Sequence, residues 1–118
     1  MISNYVVAER ARSLTRQGRA FQDVGDAAAA EPLLRAAHNL YDESEKATRI
    51  ALQLDIAQSV LEQIETLGAS GAPSVREHYD SALAAAADAL ESLDKADCEL
   101  IELTKFHCVV LRFKYVFL

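Results

Sequence analysis

The stretch Gly18–Tyr41, GRAFQDVGDAAAAEPLLRAAHNLY, decides how the chain folds. Two glycines seven apart stand between runs of alanine and leucine, both strong helix formers. Gly25 followed by Asp26 reads as a turn, because glycine breaks the helical run there. Gly18 is different: helical periodicity continues on both sides of it. A mid-helix glycine costs about 1 kcal/mol of propensity. That loss is offset where the missing Cβ lets a second helix approach closely. The stretch is therefore expected to form the elbow and inner face of a helical hairpin.

Outward from this elbow, five helical segments follow from apolar period and punctuation. The first spans Asn4 to Asp23, with Val7, Ala11, Leu14, Gly18 and Phe21 on one face. The second spans Ala27 to Tyr41 and carries Ala30, Leu33, Leu34, Ala37 and Leu40. Pro32 falls inside it, which costs little only if the helix starts late or its first turn is loose. The third has Ser44 as its expected N-cap and a stripe of Ile50, Leu54, Ala57, Leu61 and Ile64. Gly68 then supplies a left-handed stop. GASGAPS, residues 68–74, is a linker, and Ser74-Val75-Arg76-Glu77 reads as a capping box. The fourth helix carries Tyr79, Leu83, Ala86, Leu90 and Leu93. It either breaks between Asp94 and Asp97, with Asp94 as N-cap, or runs on into the fifth.

The tail from residue 100, LIELTKFHCVVLRFKYVFL, is apolar nearly all round. Leu111, Phe113, Tyr115 and Phe117 alternate with Arg112 and Lys114, so period alone leaves a strand open. The helical context favours helix. The expected fold is all-α: antiparallel helical hairpins with a C-terminal helix, or a four- to five-helix bundle. It forms one domain over 1–118, with a hairpin at 1–42, two helices and their linker at 43–93, and an apolar helix at 94–118.

The spacing around Gly18 is specific. Leu14 lies four before it and Phe21 three after, while Ala30, Leu34 and Ala37 follow at twelve, sixteen and nineteen. Large, small and aromatic residues at these offsets resemble the tetratricopeptide repeat (TPR), a helical hairpin about 34 residues long. Gln17 departs from the family's usual leucine and Asp42 from its frequent proline. A second, degenerate copy runs through Ala57, Val60, Leu61, Ile64 and Gly68, then Tyr79, Ala82, Ala86 and Ala89. It needs an insertion around GASGAPS, and bulky Leu61 falls where a small residue belongs. The resemblance is closest over Ala11–Tyr41. Three-helix microtubule-interacting-and-transport domains use similar Ala- and Leu-rich hairpins with a glycine turn, and the long third helix suits them.

The TPR resemblance implies a concave groove lined by the first helix of each hairpin. It assigns Arg12, Thr15, Arg19 and Gln22 to that groove, with Asp55, Gln58, Glu62 and Glu65 from the second copy. Guanidinium groups hold carboxylates through paired hydrogen bonds, so Arg12 and Arg19 suit an acidic peptide. The family's lysine-plus-asparagine pattern for chaperone tails is replaced by Thr15 and Arg19, so that ligand is not expected. In the other reading, Arg12, Arg16 and Arg19 form a solvated stripe or pair with the acidic third helix. The implied function is a non-catalytic protein–protein interaction module, adaptor- or chaperone-like, that docks a peptide or partner helix and self-associates. The alternative is a structural oligomerising bundle or a subunit of a larger assembly.

Composition narrows the classes further. The net charge is −6 over 118 residues. Residues 51–100 carry two basic and ten acidic side chains, the opposite of the clustered positive field that nucleic-acid binding needs. Met1 is followed by ISNYVVAERAR, which lacks the form of a secretory signal. Charged residues interrupt the apolar C-terminal run, so no spanning helix is expected, a membrane-lying helix is the weaker alternative because Lys and Arg are few, and two cysteines do not make a disulfide framework. A cytoplasmic setting is the simplest expectation. His38, His78 and His107 lack metal-site spacing. His107 and Cys108, with Cys98, are poorly disposed for one ion, since neighbours on a helix diverge by roughly 100°. Glu62/Glu65 and Asp94/Asp97 read as ion-pairing or capping groups. No cofactor, metal or catalytic residue is expected. The apolar tail, through Val110, Leu111, Phe113, Tyr115 and Phe117, is the expected self-association surface.

Overall fold

The computed structural model describes residues 4–67, 73–92 and 98–116. Among the described residues the chain is all-α: α1 (Asn4–Asp23), α2 (Ala27–Leu40), α3 (Lys46–Leu67), α4 (Pro73–Glu91) and α5 (Cys98–Val116). Each helix packs on the next, α3 also meets α1 and α5, and no strand is present among the described residues. The extents of 47 × 31 × 23 Å make the thinnest dimension about two helix diameters.

The first elbow follows from its residues. Gly25 has φ +83°, which only glycine adopts without a steric penalty. Its N–H donates to Gln22 C=O at 3.0 Å, and the Asp26 N–H donates to Phe21 C=O at 2.8 Å. This pair of bonds is a Schellman ending for α1. Asp26 then opens α2, its carboxylate accepting from the Ala29 N–H at 3.2 Å. The turn folds α2 back along α1. Gly18 is buried against Leu34: a Cβ built on it would lie 2.7 Å from Leu34 Cδ2 and 2.8 Å from Cγ.

Ala11, Ala30, Leu34 and Ala37 are buried as the stripe requires, and Leu14 packs against the same core. Phe21 departs from its expected place on that face and is 39% exposed. Pro32 is the sixth residue of α2, which neither starts late nor breaks there. Pro32 and Ala28 are both exposed, so water can serve the Ala28 carbonyl that loses its helical donor.

The second elbow is built on Asp42 rather than on Ser44. Asp42 accepts from the Ser44 N–H through its side chain at 3.2 Å and from the Glu45 N–H through its carbonyl at 2.9 Å. The Glu45 carbonyl takes the first bond of α3, from Arg49. An aspartate that closes such a turn on its own side chain displaces serine from the capping role. The Arg49 guanidinium reaches back to the carbonyls of His38 (3.2 Å) and Tyr41 (2.7 Å). It thereby satisfies the end of α2, where orphan carbonyls and the helix dipole favour a cation.

α3 is the axis of the core. Ile50, Leu54, Ala57, Leu61 and Ile64 are buried, and so are Leu52, Ile56, Ser59 and Val60 on its other flanks. A helix with neighbours on several sides needs apolar residues beyond one stripe. α4 begins at Pro73, so Ser74 is its second residue and not its cap; proline suits the start of a helix, where its missing N–H has no partner to lose. The expected break between Asp94 and Asp97 lies outside the described residues, as do residues 68–72 of the expected linker, whose last two residues, Pro73 and Ser74, belong to α4 instead. α5 is helical to Val116, which settles the tail in favour of helix. Leu111 is buried in the core, and its carbonyl accepts from the hydroxyl of fully buried Tyr79 at 2.9 Å.

Candidate functional site

The face formed by α1 and α3 carries most of the groove residues expected from sequence. Arg19 pairs with Asp55 at 3.0 Å. Gln22 Nε2 donates both to the Asp55 backbone carbonyl and to Ser59 Oγ, each at 2.8 Å. Ser59 is completely buried, so this hydrogen bond fixes the seam between the two helices. Arg12 pairs with Glu9 on its own helix. Thr15 is buried and its hydroxyl turns back to the Ala11 carbonyl at 2.8 Å. Gln58 donates to Glu62 one turn on, at 3.2 Å. Glu65 is exposed, and so is Arg16.

Asp55 shows what this face costs. Burial pushes its carboxyl above the ordinary aspartate range, and the charge and hydrogen bond of Arg19 only partly counter it. Ion-pair geometry alone would suggest a net gain. The half-exposed guanidinium is well solvated, while the carboxylate is only 19% exposed. Desolvation of the acid is therefore the larger effect. Arg19 compensates a buried charge more than it adds stability.

A second polar cluster joins α2, α3 and α4. Glu31 accepts from Arg35 Nε at 2.8 Å and from Gln63 Nε2 at 2.8 Å, and its Oε2 lies 2.9 Å from His78 Nε2. Arg35 Nη2 is 2.7 Å from that same imidazole nitrogen. One nitrogen cannot donate to Glu31 and accept from Arg35 in a single tautomer. Burial raises the Glu31 carboxyl, but the hydrogen bonds of His78, Arg35 and Gln63 outweigh it and hold the group below its usual range.

Beside this cluster lies a cleft of about 160 Å³ lined by Arg35, His38, Asn39, Gln53, Ile56, Ala82 and Ala85. Burial, then the charge of Arg49, lowers the His38 pKa, which favours the neutral ring. His38 Nε2 and Gln53 Oε1 have no protein partner. Both residues line the cleft, and these two atoms are themselves buried.

The apolar tail divides into two faces. Leu111 belongs to the core of its own chain, Val110 is half-buried, and Phe113 is 65% exposed. The Tyr115 side chain and Phe117 lie outside the described residues. Leu103 (68%), Phe106 (69%) and Val109 (63%) are exposed on the same side as Phe113. Sequence reading did not set these three apart from the rest of the tail, because a helix apolar all round does not reveal which side meets the core. Their spacing of three, three and four was the available signal. Cys108 is half-buried against the core, and burial pushes its thiol up. Among the described residues no cluster of metal-ligating side chains forms, and no helix is long and apolar enough to cross a membrane.

Set against models of known protein families, curated proteins and solved structures, the chain matches none of them.

Proposed function

We propose that the chain is a TPR-like protein-interaction module that docks a peptide or partner helix on the α1/α3 face and self-associates through its C-terminal helix. The observation carrying this reading is the order of packing. α1 and α3, the first helices of successive hairpins, lie side by side, and α5 packs on both α3 and α4. That is where the first helix of a third hairpin would stack. The α1 side of the face is basic, with Arg12, Arg16 and Arg19, while Asp55, Glu62 and Glu65 make the α3 side acidic. A partner matched to it carries acidic groups over α1. This docking is non-catalytic and uses no cofactor.

The test is a titration of isotope-labelled protein with an acidic peptide, with a neutral Gly/Ser peptide as control. Shift changes confined to α1 and α3, and lost in Arg12→Ala/Arg16→Ala without a fall in melting temperature, would support docking. Spectra unmoved by acidic peptides, or changes scattered over the whole chain, would overturn it. The second reading, a purely structural oligomer, draws on one observation, the exposed apolar stripe of α5. It expects self-association with a silent α1/α3 face.

A further inference from the structure

The self-association through α5 proposed above, on which this inference rests, leaves open which face of the helix is used and how the two copies are oriented. We propose that the outer face of α5 pairs with α5 of a second copy in antiparallel orientation, about a two-fold axis near Cys108. Leu103, Phe106, Val109 and Phe113 lie on one side of α5 and are each between 63% and 69% exposed. The opposite side, through Thr104 and Leu111, is buried. Steps of three and four along Leu103, Phe106, half-buried Val110 and Phe113 give the spacing of a helix–helix seam, with Val109 at its edge. An antiparallel pair centred on residue 108 sets Leu103 opposite Phe113 and Phe106 opposite Val110 of the copy.

Charge selects both the occupant and the direction. Glu99 and Glu102 stand at the start of α5, and Arg112 and Lys114 near its end. An antiparallel copy brings the acidic end of one helix to the basic end of the other, at both ends of the seam. A parallel copy would place like charges together. Antiparallel helix dipoles favour the same choice. A self-complementary patch of this kind is what a two-fold dimer requires. The stripe exposes roughly 500 Å² of apolar side chain per chain, judged from the size of two phenylalanines and two aliphatic residues. Two copies together approach the lower limit of about 1,000 Å² for a specific interface. The dimer is therefore expected to be reversible, with a dissociation constant in the micromolar range.

The test is sedimentation equilibrium of the full chain over a concentration series. α5 contributes Leu111 to the core, so surface substitutions probe the seam and removal of the helix does not. Phe106→Glu should weaken dimerisation at least about tenfold, as expected for a central aromatic anchor, with the circular dichroism spectrum unchanged. Leu103→Asp is the second variant should Phe106→Glu unfold. Glu102→Lys and Lys114→Glu should each weaken the dimer several-fold at low salt, and the double exchange should restore it. In a parallel seam each residue faces its own copy, and no such rescue occurs.

A dimer indifferent to Phe106→Glu and Leu103→Asp would overturn the α5 seam while leaving self-association standing. A dimer sensitive to those changes but without rescue would overturn the antiparallel arrangement. A chain that stays monomeric at high micromolar concentration, or that binds a different helical protein through this stripe, would overturn the seam and the self-association together. Peptide docking on α1/α3 is tested separately by the titration above.

Discussion

Gly18→Ala tests the close approach of α1 and α2 directly. At an exposed helical site, alanine in place of glycine stabilises by about 1 kcal/mol. Here the new Cβ would lie 2.7 Å from Leu34 Cδ2, 2.8 Å from Cγ and 3.4 Å from the Leu34 backbone nitrogen. Carbon atoms rest about 3.5–4.0 Å apart, so the intrusion is most of an ångström. Leu34 is completely buried and has little room to turn away. Overpacking of this kind costs about 1–3 kcal/mol, so the net change is a destabilisation of up to about 2 kcal/mol.

The magnitude is modest, and the decisive quantity is a sign. Leu34→Ala alone should cost about 2–5 kcal/mol. In that background the added Cβ meets no branched side chain, and Gly18→Ala should become stabilising by roughly 0.5–1 kcal/mol. Urea unfolding followed by circular dichroism gives all four corners of the cycle, with constant m-values as the check on two-state behaviour. For 118 residues, 1 kcal/mol corresponds to about 4 °C in melting temperature. If Gly18→Ala stabilises equally with and without Leu34, the coupling is absent and the close approach is refuted.

Other expectations follow from the same contacts. Pro32→Ala restores a donor to the exposed middle of α2 and should stabilise by about 1–2 kcal/mol, part of the full helical cost of proline; an unchanged urea midpoint would contradict its place inside the helix. Tyr79→Phe removes the hydroxyl that reaches the Leu111 carbonyl and should cost about 1–2 kcal/mol with no change in helix content. Arg19→Ala leaves the Asp55 carboxylate buried beside Gln22 and should cost about 1–2 kcal/mol, whereas Asp55→Asn should be neutral or stabilising at neutral pH, because it removes a charge that burial disfavours; a large loss with Asp55→Asn would reverse that assignment. Glu31 has a folded pKa below its unfolded one, so its contribution is present above the unfolded value and lost as pH falls through the folded value. Unfolding midpoints across the acid range should therefore drop less steeply in Glu31→Gln than in the native chain.

Much of the first hairpin is legible from the residues alone. The bounds of α1, the Gly25 turn and the burial of Ala30, Leu34 and Ala37 all rest on interactions between residues a few positions apart. Phe21 was misplaced because its spacing fits the stripe, while its position at the end of α1 lets it open to solvent. Ser44 and Ser74 have the right residue type for caps. Neither takes that position: Glu45 stands at the start of α3, after the turn that Asp42 closes, and Pro73 enters α4 ahead of Ser74. The candidate groove was legible only as a row of polar residues: the pattern named Arg19, Gln22 and Asp55, and the fold supplied their pairing and added Ser59 as a partner.

The sequence by itself determined that the chain is helical, where its first elbow lies and which small residues face inward there. These are local matters, governed by φ preferences, caps and a period of 3.6 residues. Only the tertiary structure decided that α3 is enclosed on several sides, that α5 gives Leu111 to the core and leaves Leu103, Phe106 and Val109 outside, and that Glu31 gathers Arg35, Gln63 and His78 from three helices. A helix that is apolar all round satisfies its own backbone whichever way it is rotated. The choice of face comes from burial against neighbours distant in sequence, which no local pattern records.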